Sequence, residues 1–309
     1  MPEDDRVHPL LDVSRAAIDA VAARALGAPV ARVEPLRGGL SHTLFDVTTT
    51  DGSRSVFRFC AGSVERFERE RRLLLELAPH LPVPKLRWSG VVEHPVLVLG
   101  FVEAEPFWKI RKEHPDQVED LAGPLARLLV SVAAAPVVAG PPLPEARVKY
   151  ADDPIALTVE RLGSEAVRER AGASLCDQLI RTYQGAAGLR SLGAKRLCHG
   201  DLSLRNVLLR PHAGTWEIAA LIDWDEPFDA TPLWDVGQLF RYRNRFPPRF
   251  ISAFERAYRD AGGALADDWW RSSRLVDAMR FIDTLWRPRD QPAVFAELRA
   301  LLTDLVIEA

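Results

Sequence analysis

The residues of this chain best suited to chemistry lie between Leu197 and Asp223, in LCHGDLSLRNVLLRPHAGTWEIAALID. Polar groups gather at His199-Gly200-Asp201 and at Asn206. A single carboxylate, Asp223, ends the apolar run that follows. The stretch reads as a short strand, a tight loop, a second strand, a hairpin turn and a third strand. The hairpin would fold Asp223 back toward Asp201 and Asn206. Three oxygen-bearing side chains converging in this way suit a Mg²⁺–phosphate site with a base beside it. The chemistry indicated is phosphoryl transfer.

Such a site needs elements to hold it. Ser14 to Leu26 has helical spacing of Ile18, Val21, Ala22, Ala25 and Leu26, with Ser14 as a cap and Gly27 as a stop. Phe45, Val47 and Thr49 alternate with polar neighbours, as do Phe57 and Phe59, and Asp51-Gly52 between them predicts a hairpin. Gly38-Gly39-Leu40-Ser41 opens that hairpin. Glycines there either let backbone N–H groups approach an anion or simply supply a flexible loop. Ser63 to Leu77 is a second predicted helix, with Glu70 on the same face as Phe67, Leu74 and Leu77. A carboxylate facing a core requires a cation, and Arg58 on the preceding strand is the nearest; the alternative is a stripe-edge Glu70 in water. Pro79, Pro82 and Pro84 start an extended segment, and Val96 to Leu99 reads as a buried strand leading to a connector at Gly100-Phe101-Val102-Glu103. Helices are then expected over 116–132, 156–170, 174–189, 247–261, 269–286 and 292–307. A β-rich first part and an α-rich remainder imply two lobes, residues 1–100 and 101–309.

Composition bounds the reading. A length of 309 residues accommodates two cores. A net charge of -3 without a basic cluster gives no case for nucleic acid. The first twelve residues are acidic and lack an apolar core, so no signal peptide is expected, and no run approaches the length of a membrane span. Cys60, Cys176 and Cys198 are widely spaced and odd in number, which fits a reducing cytoplasm. Only five of the forty basic residues are Lys, the first being Lys85, so a cation needed earlier must be Arg.

His199-Gly200-Asp201-Leu202-Ser203-Leu204-Arg205-Asn206 resembles the H-G-D-x-x-x-x-N catalytic loop of the aminoglycoside phosphotransferase family, within the protein-kinase-like superfamily. Leu221-Ile222-Asp223-Trp224 resembles the family's metal-binding segment. Pro232 to Gly237 resembles its P-x-x-D segment, and Gly38 to His42 its nucleotide loop. The resemblance implies an α+β, bilobal protein-kinase-like fold with a β-rich N-terminal nucleotide lobe and a mainly helical C-terminal lobe. It implies Asp201 as the group that accepts or orients the proton of the attacking hydroxyl, Asn206 and Asp223 as Mg²⁺ ligands, and His199 and Asp235 as structural supports of the loop. Gly38, Gly39 and Ser41 would cover the phosphates of ATP or GTP, Arg58 with Glu70 would meet them, and Leu99, Gly100 and Val102 would offer backbone to the base. The chain departs from the pattern in having Arg58 where kinases usually place Lys, and Ser203 where the family often has His or Phe.

On the acceptor side, Asp225, Glu226 and Asp229 would suit a cationic acceptor such as an aminoglycoside, and Glu103, Glu105, Asp152, Asp153, Asp267, Asp268 and Asp283 could add to the same surface; the alternative is a solvated loop. Trp269, Trp270 and Trp286 would either stack on an acceptor or belong to the core, and Arg241 to Arg245 would bind an anion or lie on a solvated face. The implied activity is antibiotic phosphorylation. The alternatives are a metabolic kinase for choline, homoserine, a sugar or a natural-product intermediate, and a non-catalytic kinase-like binding protein.

Overall fold

The computed structural model describes residues 9–36, 42–140, 148, 151–186, 189, 195–288 and 291–307. These form two compact units, and neither is one continuous stretch of chain. The first comprises Met1–Pro106 and Val207–Asp225, the second Phe107–Asn206 and Glu226–Ala309.

The first unit begins with α1 (Arg15–Leu26), capped by the Ser14 hydroxyl on the Ala17 N–H and closed by Gly27 in the left-handed region. β1 (Val30–Pro35), β2 (Thr43–Thr49), β3 (Arg54–Phe59), β4 (Leu86–Val92) and β5 (His94–Gly100) make an antiparallel sheet in the order β1-β2-β3-β5-β4. Side chains alternate across a strand, so Phe57 and Phe59 pack with Val47, Val96, Val98 and the Ile18–Val21–Ala22 stripe of α1. Arg58, between the two phenylalanines, points the other way, to α2 (Val64–Leu77). β6 (Glu105–Pro106), β8 (Val207–His212) and β9 (Thr215–Leu221) form a three-stranded sheet, and the Leu221 N–H donates to the Pro82 carbonyl at 2.7 Å. The β8–β9 hairpin therefore belongs with the first unit, although the sequence division at residue 100 leaves it with the second part.

The second unit holds α3 (Phe107–Glu113), α4 (Ala122–Ala134), α5 (Pro154–Gly163), α6 (Glu165–Ala171), α7 (Ala173–Gly185), α8 (Leu233–Leu239), α9 (Pro248–Asp260), α10 (Trp269–Trp286) and α11 (Pro292–Ile307). It also holds the strand pair β7 (Arg196–Cys198) and β10 (Phe228–Ala230). Two expected helices are interrupted. The helix expected over 116–132 starts only at Ala122, because Pro124 has no N–H to bond a preceding turn and is tolerated only in the first turn; short 3₁₀ turns precede it. The helix expected over 156–170 breaks at Ser164, which is extended. The core of this unit joins α5, α6, α7, α10 and α11 through Leu162, Val167, Leu179, Tyr183, Met279 and Leu302.

Buried charge in the second unit is paired. Arg241, at the start of the stretch read as anion-binding or solvated, instead forks onto buried Asp277 at 2.7 and 2.9 Å. Trp269 is buried, and with Trp270 it packs round Phe240 at 6.2 and 5.5 Å between ring centroids, so this pair serves the core. All three cysteines are buried, none of them in a disulfide among the described residues, and the Cys198 thiol lies 3.3 Å from the Thr231 carbonyl. Among the described residues no helix is long and apolar enough to cross a membrane.

Candidate active site

The loop after β7 is fixed from behind. Asp235 on α8, 3% exposed, accepts from the His199 N–H at 2.7 Å and the Gly200 N–H at 3.0 Å. Burial pushes its carboxyl pKa up, while His199 and the two amide donors pull it back. Gly200 takes φ +80°, and a Cβ there would collide with the Glu226 carbonyl, so only glycine lets the loop pass so close. Buried His199 accepts the Asp201 N–H at Nδ1, 3.2 Å away. Asn206 then ties the loop's two ends together. Its Nδ2 donates to the Asp201 carbonyl at 2.7 Å and, more weakly, to Asp201 Oδ2 at 3.3 Å. The loop's middle is held by the Trp108 N–H, which donates to the Leu204 carbonyl at 3.0 Å.

Two residues that sequence reasoning missed complete this arrangement. Gln238, one turn beyond Asp235 on α8, donates from Nε2 to Asp201 Oδ1 at 2.7 Å and accepts from the Leu202 N–H at 3.0 Å. Arg280 on α10 donates to Gln238 Oε1 at 2.9 Å and to the Gly200 carbonyl. The available signal was a polar side chain three positions after Asp235 in an otherwise apolar helix, LWDVGQL.

The first unit carries the other named residues. Arg58, 5% exposed, donates to Glu70 Oε1 at 2.6 Å and to Asp223 Oδ1 at 3.1 Å. Glu70 is thus inside and paired. Burial drives its carboxyl pKa up, and the adjacent guanidinium opposes this. Arg58 itself is penalised by burial, but Glu70 and Asp223 more than compensate and keep it cationic. Asp223 follows β9 with φ +70°, a left-handed conformation uncommon for a side chain with a Cβ. Its side chain stays 44% exposed.

Asp225, read as part of an acceptor surface, has a different setting. Its side chain is 12% exposed, with Arg66 Nη1 at 3.5 Å and His42 Nε2 at 3.7 Å. Burial disfavours its charge, but the His42 hydrogen bond and the Arg58 and Arg66 charges prevail and hold its pKa well below the usual carboxylate range. Burial and Arg58 lower the His42 pKa. His42, Glu70 and Asp225 place ligand-type atoms within 4.8 Å of one another. Arg58 already neutralises Glu70, and Arg66 faces Asp225, so the cluster's charge is met by cations of the chain itself.

Leu99 is buried in β5, and the Gly100 N–H is spent on the Lys85 carbonyl at 2.8 Å. Val102 lies beyond the sheet, next to Phe101, whose ring is covered by the Arg54 guanidinium. Gly38, Gly39 and Ser41 lie outside the described residues. Glu226 is half-buried, and Asp229 on β10 accepts from the Ala139 N–H at 3.0 and 3.2 Å. Asp229 also borders a cavity of about 930 Å³ within the second unit, together with Asp152, Asp153, Glu160, Lys195 and Trp234.

Comparison with known proteins fits this arrangement. Residues 32–271 match the model of the phosphotransferase enzyme family. Comparison with curated proteins by sequence returns no match. Among solved structures, the chain is similar to the GDP and kanamycin complex of APH(2")-IIia, with 22% identity, TM-score 0.73, and coverage of 95% of this chain and 99% of that one. It is also similar to the macrolide 2'-phosphotransferase MphH from Brachybacterium faecium, with 20% identity, TM-score 0.67, and coverage of 93% and 97%. A third similar structure is the choline kinase LicA from Streptococcus pneumoniae, with 16% identity, TM-score 0.67, and coverage of 95% and 99%. At these identities the structural likeness establishes the α+β protein-kinase-like fold. The match over most of the chain establishes that the chain belongs to the phosphotransferase enzyme family and is a phosphotransferase with an alcohol group as acceptor.

Proposed function

We propose that this phosphotransferase moves the γ-phosphate of ATP or GTP to a hydroxyl of an aminoglycoside-like antibiotic. One observation carries the acceptor class: among the described residues, the cavity in the second unit is walled by Asp152, Asp153, Glu160 and Asp229 against Lys195. Such a wall favours a polycationic guest. The similar APH(2")-IIia structure holds GDP and kanamycin, which agrees with a nucleotide donor and an aminoglycoside acceptor.

Each residue has a defined task in this reading. Asp201 orients the acceptor hydroxyl and takes up its proton. Asn206 and Asp223 would hold magnesium. The donor chemistry fits: Asn206 commits its Nδ2 hydrogens to Asp201, which leaves the amide oxygen as its ligand atom, and Asp223 is a half-exposed carboxylate. Bound magnesium supplies neutralisation of phosphate charge. Arg58 aligns Asp223 and, through Glu70, anchors α2 to the sheet. Gly38, Gly39 and Ser41 cover the phosphates. Backbone from Leu99 to Val102 meets the base.

The test incubates the protein with Mg-ATP or Mg-GTP and a panel of aminoglycosides, macrolides, choline, homoserine and neutral sugars. Mass spectrometry reads which of them gains a phosphate. The expected result is phosphorylation of an aminoglycoside, abolished by Asp201→Ala with nucleotide binding retained. Turnover confined to a macrolide or a neutral sugar overturns the acidic-cavity reading, and substantial activity in Asp201→Ala overturns the role of Asp201. A second reading is a choline-like alcohol, in keeping with the similarity to the choline kinase LicA.

A further inference from the structure

We infer that Gln238 is a positioning residue for Asp201 and that Arg280 sets its orientation. The amide has only one consistent placement. The Leu202 N–H and the Arg280 guanidinium are both donors without acceptor capacity, so the oxygen Oε1 must face them. The other end, Nε2, then points at Asp201 Oδ1 at 2.7 Å, where a carboxylate can only accept. Gln238 is 6% exposed, which makes each of these bonds hard to replace with water.

The consequence is a division of labour between the two oxygens of Asp201. Oδ1 accepts a short hydrogen bond from Gln238. Among the described residues Oδ2 has only the long 3.3 Å contact from Asn206 and so remains the atom that meets an acceptor hydroxyl. Arg280 reaches from α10 to both Gln238 and the Gly200 carbonyl, so one guanidinium fixes the loop backbone and the amide that aims the carboxylate. Asp235 holds the loop's N–H groups, whereas Gln238 holds its reacting side chain. Misplacing a reacting group by about 1 Å costs on the order of 100-fold in rate.

This inference rests on Asp201 being the residue that handles the acceptor proton, and the test separates the two claims. Gln238→Glu is the main variant. It keeps the size of the side chain and an oxygen for Leu202 and Arg280, but turns the donor at Asp201 into an acceptor. Gln238→Met removes both functions without adding charge and serves if the glutamate variant fails to fold. Kinetics use Mg-ATP and Mg-GTP with the panel acceptor that turns over fastest, or with water if none does. We expect kcat to fall about 100-fold in Gln238→Glu and about 10-fold in Gln238→Met, with both KM values within about 3-fold of the parent. Arg280→Lys, which keeps a donor, should retain most activity, and Arg280→Met should resemble Gln238→Met. A parent-like kcat in both Gln238 variants, alongside an inactive Asp201→Asn, overturns the role of Gln238 alone. An active Asp201→Asn overturns the assignment of Asp201 and this inference with it. A kcat loss in Gln238→Met that Gln238→Glu does not share would show that Gln238 merely fastens Leu202 and Arg280, and would also overturn it.

Discussion

Asp225 stands two positions after Asp223, and its chemical setting differs sharply from that of its neighbour. Asp223 keeps nearly half its side chain in solvent and shares Arg58 with Glu70; Asp225 is enclosed, with Arg66 and His42 for company. Removing a carboxylate from such a setting strands the largely buried Arg66 guanidinium. Asp225→Ala is expected to cost about 3 kcal/mol of stability, read from urea unfolding at neutral pH. The pH sign follows from a depressed pKa. The contribution is complete above the ordinary aspartate value of 3.8 and is lost as pH falls toward the folded-state value. The variant and the parent should therefore converge in stability on acidification. Sequence reasoning could place Asp225 near Asp223 but could not see Arg66 and His42 close over it, because those partners lie more than 150 positions away along the chain. The Arg58–Glu70 pair was legible for the opposite reason. Twelve residues separate them, and a carboxylate on an apolar helix face asks for a cation.

At the scale of elements, the long apolar stripes were readable and the interruptions were not. α9, α10 and α11 lie close to the spans that periodicity predicts, since each repeats its apolar face over three or more turns. β1 was unreadable because every residue in it is exposed or half-exposed, and β4 because a bulge near Trp88 and a mid-strand Gly90 disturb its alternation. α8 is only seven residues long and is placed by packing more than by pattern. It crosses α10 at Gly237, where a Cβ would collide with the Ser273 carbonyl. Because α8 carries both Asp235 and Gln238, its distance from α10 governs the loop that bears Asp201. Gly237→Ala is expected to lose about 2 kcal/mol of stability. It should also lower kcat at temperatures where the variant is fully folded. Thermal unfolding and steady-state kinetics on the same preparation check both.

At the scale of the whole molecule, the chain enters and leaves the first unit more than once: residues 1–106 are completed by 207–225. β6 has its strand partner in β8, and the Pro82 carbonyl receives the Leu221 N–H. The first 106 residues alone therefore lack partners for backbone groups that the full chain satisfies. We expect a fragment of residues 1–106 to give the dispersed amide spectrum of a fold only when residues 207–225 are supplied in the same polypeptide through a flexible linker. A well-dispersed spectrum from residues 1–106 alone would contradict this. Motif spacing names a loop, a metal segment and a family, but the exchange of a hairpin between units depends on long-range pairing that local pattern does not encode.

Cys198 sits one residue before His199, its thiol buried and turned to the Thr231 carbonyl of the segment that follows β10. A thiol in that position can be alkylated only while β7 and β10 are apart. Alkylation of Cys198 therefore reports the opening of a single strand pair at the root of the Asp201 loop and stays silent while that loop is seated.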